Sequence, residues 1–284
     1  KRHTVPGTSS CEPNSSAGLG GNDVSMKPAC SRCSVGSDPH IKAERLVAIK
    51  RKLSSTRGLP RIRRFGDHQR AFVKIQDGCD AFCTYCVVPY TRSVLWSRGA
   101  DEVLSECRQL VSAGHKEIVL TGVFLGAYGR DTAIRRRWPA GSAPLVGLVR
   151  RVAEIDGLWR LRLSSLEPAD VTDELLGLWA ESPKLAPHFH LPLQSGSTRV
   201  LKAMNRQYDP AEFLERVERI RSALDRPSIS TDIIAGFPGE TDGDFEKTLS
   251  VARAAGFSKI HAFPFSAIDG TDRKSTRLNS SHYS

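Results

Sequence analysis

No run of about 18 apolar residues occurs in these 284 residues, so the sequence lacks a helical membrane span. The polar, Ser- and Gly-rich start also lacks the short apolar core of a secretory signal, which makes a cytoplasmic location the expectation. Cysteine is sparse and odd in number, seven in all, which excludes the paired disulfide framework of a small secreted domain and points to metal or redox chemistry. A uniform basic character is missing too. The formal charge is +10, but residues 1–70 hold 14 Lys and Arg against 5 Asp and Glu, and residues 272–284 add a further +2. Residues 71–271 therefore come to −1, and the basic signal of a nucleic-acid binder lies mostly outside the body expected to fold.

That body begins near residue 71. Residues 1–39 are rich in Ser, Gly and Pro with no helical or strand period, which reads as disorder or truncation. Ile41 to Leu53 reads as one basic helix, and Gly58-Leu59-Pro60 opens a basic linker that runs to Arg70. The polar ending from Asp272 to Ser284 reads as a non-native tail. The domain plan is thus an unmatched region at 1–70, a core domain at 71–271 and the tail at 272–284. Within the core, short apolar runs predict strands at Ala71–Ile75, Glu117–Thr121, Leu161–Leu163, His188–Leu191, Ser228–Ile234 and Lys259–Phe263. Amphipathic stretches between them predict helices at Asp101–Ala113, Leu145–Ile155, Thr172–Glu181, Ser197–Ala203 with Pro210–Leu224, and Asp242–Ala255. This alternation predicts an α/β fold, an open partial (β/α)6 barrel with its site at the carboxyl ends of the strands.

The segment Gly78-Cys79-Asp80-Ala81-Phe82-Cys83-Thr84-Tyr85-Cys86 follows the first of those strands and places three thiolates at spacings of four and three. Thiolates are soft ligands suited to iron–sulfur clusters and to zinc. Three cysteines on one loop can cap three corners of a four-iron four-sulfur cubane and leave the fourth iron open to another ligand. Zinc is the competing reading, but closed structural zinc sites take four ligands, usually in pairs. No second pair follows in the core, where Cys107, on a predicted helix, is the only other cysteine.

The C-x3-C-x-aromatic-C pattern resembles the radical S-adenosylmethionine (SAM) superfamily, and its surroundings resemble the methylthiotransferases, especially those acting on threonylcarbamoyladenosine in tRNA. The resemblance covers about residues 71–271. It implies a partial barrel of the radical SAM type, a 4Fe-4S cluster on Cys79, Cys83 and Cys86, and SAM on the open iron, cleaved by an electron from the reduced cluster. It also implies tRNA as substrate and an electron donor such as flavodoxin or ferredoxin. Tyr85 resembles the aromatic residue near the cofactor's adenine. Gly122, in Leu120-Thr121-Gly122-Val123-Phe124-Leu125-Gly126, is placed near its methionyl end, and Phe124-Leu125-Gly126 resembles the threonylcarbamoyladenosine class. Ser164 and Glu167, in Leu163-Ser164-Ser165-Leu166-Glu167-Pro168, are expected at a ribose or amine. Gln194 and Ser195, in His190-Leu191-Pro192-Leu193-Gln194-Ser195-Gly196-Ser197, belong to a cofactor and substrate loop, with Arg206 following. Asp232 and Gly236, in Thr231-Asp232-Ile233-Ile234-Ala235-Gly236-Phe237-Pro238-Gly239, lie in the adenosine-contacting region. Bland roles compete at each block: helix caps for Ser164, Glu167 and Ser197, and turn geometry for the glycines. His261 has no role assigned to it.

The sequence also departs from the resemblance. Full methylthiotransferases carry a second 4Fe-4S cluster in an N-terminal domain and an RNA-binding C-terminal domain, and neither is recognisable here. Cys11, Cys30 and Cys33 lack the expected surroundings, although Cys30 and Cys33 make half of a zinc or redox motif that Cys11 or His40 could extend. Ser93 stands where relatives usually carry Gly. Competing functions are a sibling enzyme acting on isopentenyladenosine or on a ribosomal-protein aspartate and, from another class, a nonenzymatic zinc-binding RNA module.

Overall fold

In a computed structural model of the chain, the described residues are 66 and 68–267, apart from 140 and 142. The expectations for residues 1–65, including Cys11, Cys30, Cys33 and the basic helix, and for the tail at 272–284 lie outside the described residues.

Strand β1, Arg70–Asp77, shows how the sequence pattern becomes a sheet with two unlike faces. Successive side chains point to opposite sides. Ala71, Val73 and Ile75 are fully buried against helices, while Phe72 and Lys74 face the other way and stay partly exposed. The alternation recurs in β4 (Arg160–Leu163) and β5 (His188–His190), whereas β3 (Glu117–Gly122) and β6 (Ser228–Ala235) each bury three residues in a row, Ile118 to Leu120 and Ile229 to Thr231, as strands covered on both faces do. β1 pairs in parallel with β3 and β3 with β4; β5 pairs in parallel with β6 and β6 with β7, Lys259–Pro264. Parallel bridges at Leu161–Leu185 and Ser165–His190 join the β4 side to the β5 side. The six parallel strands thus follow one another in chain order around a curled half-barrel, as the alternating pattern predicts. A further short strand, β2 (Trp96–Ser97), pairs antiparallel with the end of β1, and a four-residue helix α1 (Val88–Thr91) precedes it. Neither had a periodic signal, because two and four residues are too short to show one.

The helices α2 (Ala100–Ser112), α3 (Pro144–Ala153), α4 (Asp173–Glu181), α5 (Thr198–Ala203), α6 (Pro210–Ala223) and α7 (Asp242–Ala255) alternate with the strands. Capping chemistry sets the starts of α4, α6 and α7. Thr172 accepts from the Leu175 amide, Asp209 forms a capping box with Glu212 before Pro210, and Thr241 does the same with Asp244. Gly256 closes α7 in the left-handed conformation, φ 53°. Between helices and sheet, Phe189, Phe213, Leu104, Leu110, Leu120 and Leu161 are among the fully buried side chains, each contributing about 1.5–3 kcal/mol through removal from water. This apolar layer holds the sheet rigid and leaves its inner face free for polar groups.

Candidate functional site

The cysteine loop is built by a handful of polar groups at the end of β1. Gly78 turns the chain with φ 80°, and a Cβ there would overlap the Val94 carbonyl, so only glycine fits. Gln76 is fully buried. Its amide nitrogen donates to the Asp77 and Gly78 carbonyls at 2.9 and 2.8 Å, and its oxygen accepts from the Phe124 amide at 2.8 Å. One side chain thereby ties the start of the cysteine loop to the loop after β3. Gly122 follows from the same packing, since a Cβ there would stand 3.0 Å from Gln76. Asp80 accepts from the Thr132 hydroxyl and the Ala133 amide, both at 2.6 Å. Phe82 is held at φ 50°, strained for a residue with a side chain, while Asn205 donates to the Ala81 and Phe82 carbonyls at 3.0 Å. The Thr84 amide and hydroxyl donate to the Met204 and Ala203 carbonyls. The loop is therefore clasped from both sides.

Within this clasp Cys79 is buried and Cys83 and Cys86 are half-buried, all three as free thiols. Burial pushes the Cys79 thiol up to about 12, with the neighbouring Cys83 and Cys86 adding to the rise. Burial likewise raises Cys86, again with Cys83 contributing. Two thiols that burial keeps protonated, with the third, Cys83, beside them, form a site suited to a cationic group, which reverses that balance. Arg206 donates to the Cys83 sulfur at 3.3 Å, the kind of N–H···S bond that orients a thiolate ligand. A single tetrahedral zinc would draw its sulfurs to about 3.8 Å from one another, as its Zn–S bonds of about 2.3 Å require. Among the described residues no three His, Cys, Asp or Glu side chains converge to hold one metal ion. The donor set, three soft ligands and no fourth, fits a larger cluster with one corner left open.

Beside the thiols, Arg206 is nearly buried and also donates to the Tyr85 hydroxyl at 3.3 Å and to Glu167 at 2.5 Å. Its guanidinium lies 4.9 Å from the Tyr208 ring centre. Burial raises the Tyr85 phenol well above its ordinary value, so it stands neutral as a hydrogen-bonding group. The structure thus brings Tyr85 and Glu167 together through a cation. Ser164, after β4, has a buried hydroxyl with no hydrogen-bonding partner among the described residues, and the Arg206 Nε is in the same state. Such groups cost about 1–3 kcal/mol when left unmade, so they mark where a ligand's polar atoms fit.

On the inner face of the second half of the sheet, Asp232 accepts from His190 Nε2 at 3.1 Å and from His261 Nδ1 at 3.3 Å. These residues occupy facing positions of β5, β6 and β7, and His190 also meets the Ser230 hydroxyl at 3.0 Å. Gln194 adopts φ 62° as its backbone bridges to Ile233. Gly236, φ 75°, donates from its amide to Glu240 at 2.6 Å, and the other Glu240 oxygen is buried without a partner among the described residues. Ser195 lies apart from these groups. It is fully buried, shares a hydrogen bond with Thr248 and accepts from the Ser197 amide. Ser197 caps α5 and donates to Asp244 at 2.7 Å.

Sequence reasoning missed Gln76, Asp80, Asn205 and the pairing of His190 and His261 through Asp232. For Gln76, Asp80 and the histidine pair the signal was a polar residue within or just after a strand, decipherable only with the strand register in hand, whereas Asn205 follows the helix α5.

Fold and site define a class: an α/β half-barrel whose carboxyl rim carries three clasped thiols beside a buried guanidinium. The chain belongs to the Radical SAM superfamily, whose profile matches residues 73–252. A Chlamydia pneumoniae protein named "Threonylcarbamoyladenosine tRNA methylthiotransferase MtaB" is 42% identical over 207 residues, 73% of this chain and 47% of the relative. A Cereibacter sphaeroides protein named "tRNA-2-methylthio-N(6)-dimethylallyladenosine synthase" is 46% identical over 201 residues, 71% of this chain and 44% of the relative. The chain thus spans about half the length of the curated relatives it matches. Among solved structures, the radical S-adenosylmethionine methyltransferase TsrM from Kitasatospora setae superposes with a TM-score of 0.55 at 16% identity, covering 68% of this chain and 35% of that one. That likeness concerns the fold alone.

Proposed function

We propose that this chain is the cofactor-binding core of a tRNA methylthiotransferase that places a methylthio group on C2 of N6-threonylcarbamoyladenosine beside the anticodon. The observation that carries the reading is the clasped loop with three thiols and one buried cation, in a chain 42% identical to a relative bearing that name. Cys79, Cys83 and Cys86 hold the 4Fe-4S cluster. Tyr85, Ser164, Glu167, Gln194, Asp232 and Gly236 face the SAM pocket, while Gly122 and Ser195 act one layer back, holding the loops in place. The chemistry supplied when cluster and SAM are bound is one-electron cleavage of a carbon–sulfur bond. The chain's own part is positional: Arg206 fixes the Cys83 sulfur and the Glu167 carboxylate at once, and the rigid sheet keeps both at the rim. Sulfur insertion requires the second 4Fe-4S cluster of longer relatives, and flavodoxin or ferredoxin serves as electron donor. The proposed site of action is the cytoplasm, and no helix among the described residues is long and apolar enough to cross a membrane.

A sibling activity on dimethylallyladenosine competes, since the relative bearing that name is 46% identical, and the substrate-class signal of the sequence is weakened by one observation. Gly126 of the Phe124-Leu125-Gly126 stretch is imposed by packing, since a Cβ there would overlap the Asp170 carboxylate. The stretch therefore bears a structural constraint and discriminates less between substrates. Anaerobic reconstitution tests the cofactor reading. The wild type is expected to turn brown and bind iron and sulfide, and Cys79→Ser, Cys83→Ser and Cys86→Ser each to lose most of the iron, with the melting of the metal-free half-buried variants Cys83→Ser and Cys86→Ser within about 2 °C of wild type. A colourless zinc protein overturns it. Mass spectrometry of tRNA nucleosides from a deletion strain then separates the two substrates.

A further inference from the structure

The body between residues 71 and 271 sums to −1, yet its positive charge is not spread evenly. The loop between β3 and α3 carries Arg130, Arg135, Arg136 and Arg137 against one acid, Asp131. It is tied to the cysteine loop by Asp80, which accepts from Thr132 and Ala133, and to the segment after α5 by Gln207, which accepts from the Arg135 amide and donates to the Ala133 carbonyl. Ala133 packs in one small apolar cluster with Cys79, Ala81 and Phe124, and Cys83 and Trp138 lean on it. The loop is thus a fixed wall of the cysteine site.

Its arginines divide by what they touch. Arg135 pairs with the buried Asp170 and lies over the Phe124 and Trp138 rings, and Arg130 lies over the other ring contact at Trp138, 5.1 Å from its centre. Arg136 and Arg137, next along the same 3-10 turn, are exposed and have no ion-pair partner among the described residues. Most other arginines of the body meet a carboxylate, Arg98, Arg150, Arg162 and Arg199 among them. The cysteine loop and α1 add a second unusual feature. Phe82 and Tyr90 are 45% and 42% exposed and sit edge to face with ring centres 5.7 Å apart. Asn205 holds the strained backbone that presents Phe82 outward. Guanidinium groups without an ion-pair partner and exposed aromatic rings, carried on segments that Asp80 and Ala133 tie together, are the recognition chemistry of unpaired nucleic-acid strands, phosphate by charge and base by stacking.

We propose that Arg136 and Arg137, with Phe82 and Tyr90, form a contact surface for single-stranded RNA at the mouth of the cysteine site. The proposal rests on the RNA-substrate reading above and adds the surface that receives the strand. Two phosphates are held by Arg136 and Arg137, and a neighbouring base meets the aromatic pair. An acidic electron-donor protein would also favour the charge, but it gives no reason for the aromatic rings to stay uncovered.

The test measures binding of the 284-residue chain to a short anticodon stem-loop RNA as salt rises from about 50 to 200 mM. The double variant R136Q/R137Q is expected to bind about tenfold more weakly at low salt and to lower the slope of log affinity against log salt by about 1.4, two contacts at about 0.7 each. Tyr90→Ala is expected to weaken binding with the slope unchanged. The control R108Q/R253Q removes the same charge from exposed positions on α2 and α7 and is expected to leave the slope as in wild type. Equal slopes for R136Q/R137Q and wild type overturn the proposal, as does loss of binding to an acidic flavodoxin without loss of RNA binding. Failure of the wild type to bind RNA overturns it too. Iron and sulfide content, read on the same samples, reports on the cofactor reading separately: a cluster-free wild type would sink that reading while leaving the salt slopes to judge this one.

Discussion

The loop after β4 and the loop after β5 present the same residue types, serine hydroxyls next to polar neighbours, and the fold uses them in opposite ways. After β5, Ser195 and Ser197 close a network in which every hydroxyl has a partner: Ser195 with Thr248, and Ser197 with both Asp244 and the Val200 amide. After β4, Ser164 is buried with its hydroxyl unmatched among the described residues, close in sequence to Glu167 and its bond to the nearly buried Arg206, whose Nε is also unmatched. A satisfied buried network stabilises the folded chain, whereas an unsatisfied group costs it free energy until a ligand arrives. The first loop is part of the scaffold. The second is where we propose that a cofactor's polar atoms fit.

If that division holds, damage to the closed loop should appear as lost stability with cofactor chemistry intact. The largest effect is expected at Gly196. A Cβ there would lie 2.5 Å from the Thr248 Cα and 2.6 Å from the Lys247 carbonyl, both backbone atoms of α7 that cannot swing aside. Gly196→Ala should cost about 3 kcal/mol by overpacking, read as a fall in Tm of about 6–12 °C for a body of this size. Iron uptake after anaerobic reconstitution should stay as in wild type. A variant that melts normally would show that the loop and α7 are not packed as described.

A smaller effect with a distinctive pH signature is expected at Asp244. The Arg199 guanidinium, then the Ser197 and Thr241 hydroxyls, hold its carboxyl well below the ordinary range. A carboxyl depressed in the folded chain contributes stability that is complete above its unfolded value, about 3.9, and is lost as pH falls through its folded value. Asp244→Asn should therefore cost about 1–2 kcal/mol at neutral pH, with the half-exposed Arg199 limiting the ionic share. The gap between variant and wild type should stay constant down to about pH 5 and close below about pH 4. A gap that widens in acid would reverse the assignment.

The sequence made the six strands and the helices between them legible because short apolar runs alternate with longer amphipathic ones, and three of the longer helices start on a cap, Thr172, Asp209 or Thr241. The cysteine loop was legible for a different reason, since its three cysteines lie within eight residues of chain. What stayed hidden depends on register between distant segments. Gln76 reaches Phe124 across 48 positions, and His190, Asp232 and His261 meet only because β5, β6 and β7 align them. Ser197 could not be resolved from sequence, because a helix cap and a ligand contact both ask for serine there. Net charge misled in the same way. A total of −1 over the core averages away the exposed Arg136 and Arg137, which only the fold sets beside the cysteine loop.

The smallest expected change in stability, and the sharpest test of the division, lies at Ser164. Removing a hydroxyl that has partners destabilises a protein, but removing one that is buried and unmatched relieves its desolvation cost. Ser164→Ala should therefore leave the ligand-free protein as stable as wild type or raise its stability by up to about 1 kcal/mol, the reverse of the losses expected at Gly196 and Asp244. Its cost should appear in SAM binding, weakened by about fivefold to tenfold, as loss of one hydrogen bond of about 1–1.5 kcal/mol requires. Thermal melts of the metal-free chain and equilibrium binding of SAM to the reconstituted chain measure the two halves independently. A destabilised Ser164→Ala with unaltered SAM affinity would place this hydroxyl in the scaffold with Ser195, and the loop after β4 would lose its claim to the cofactor.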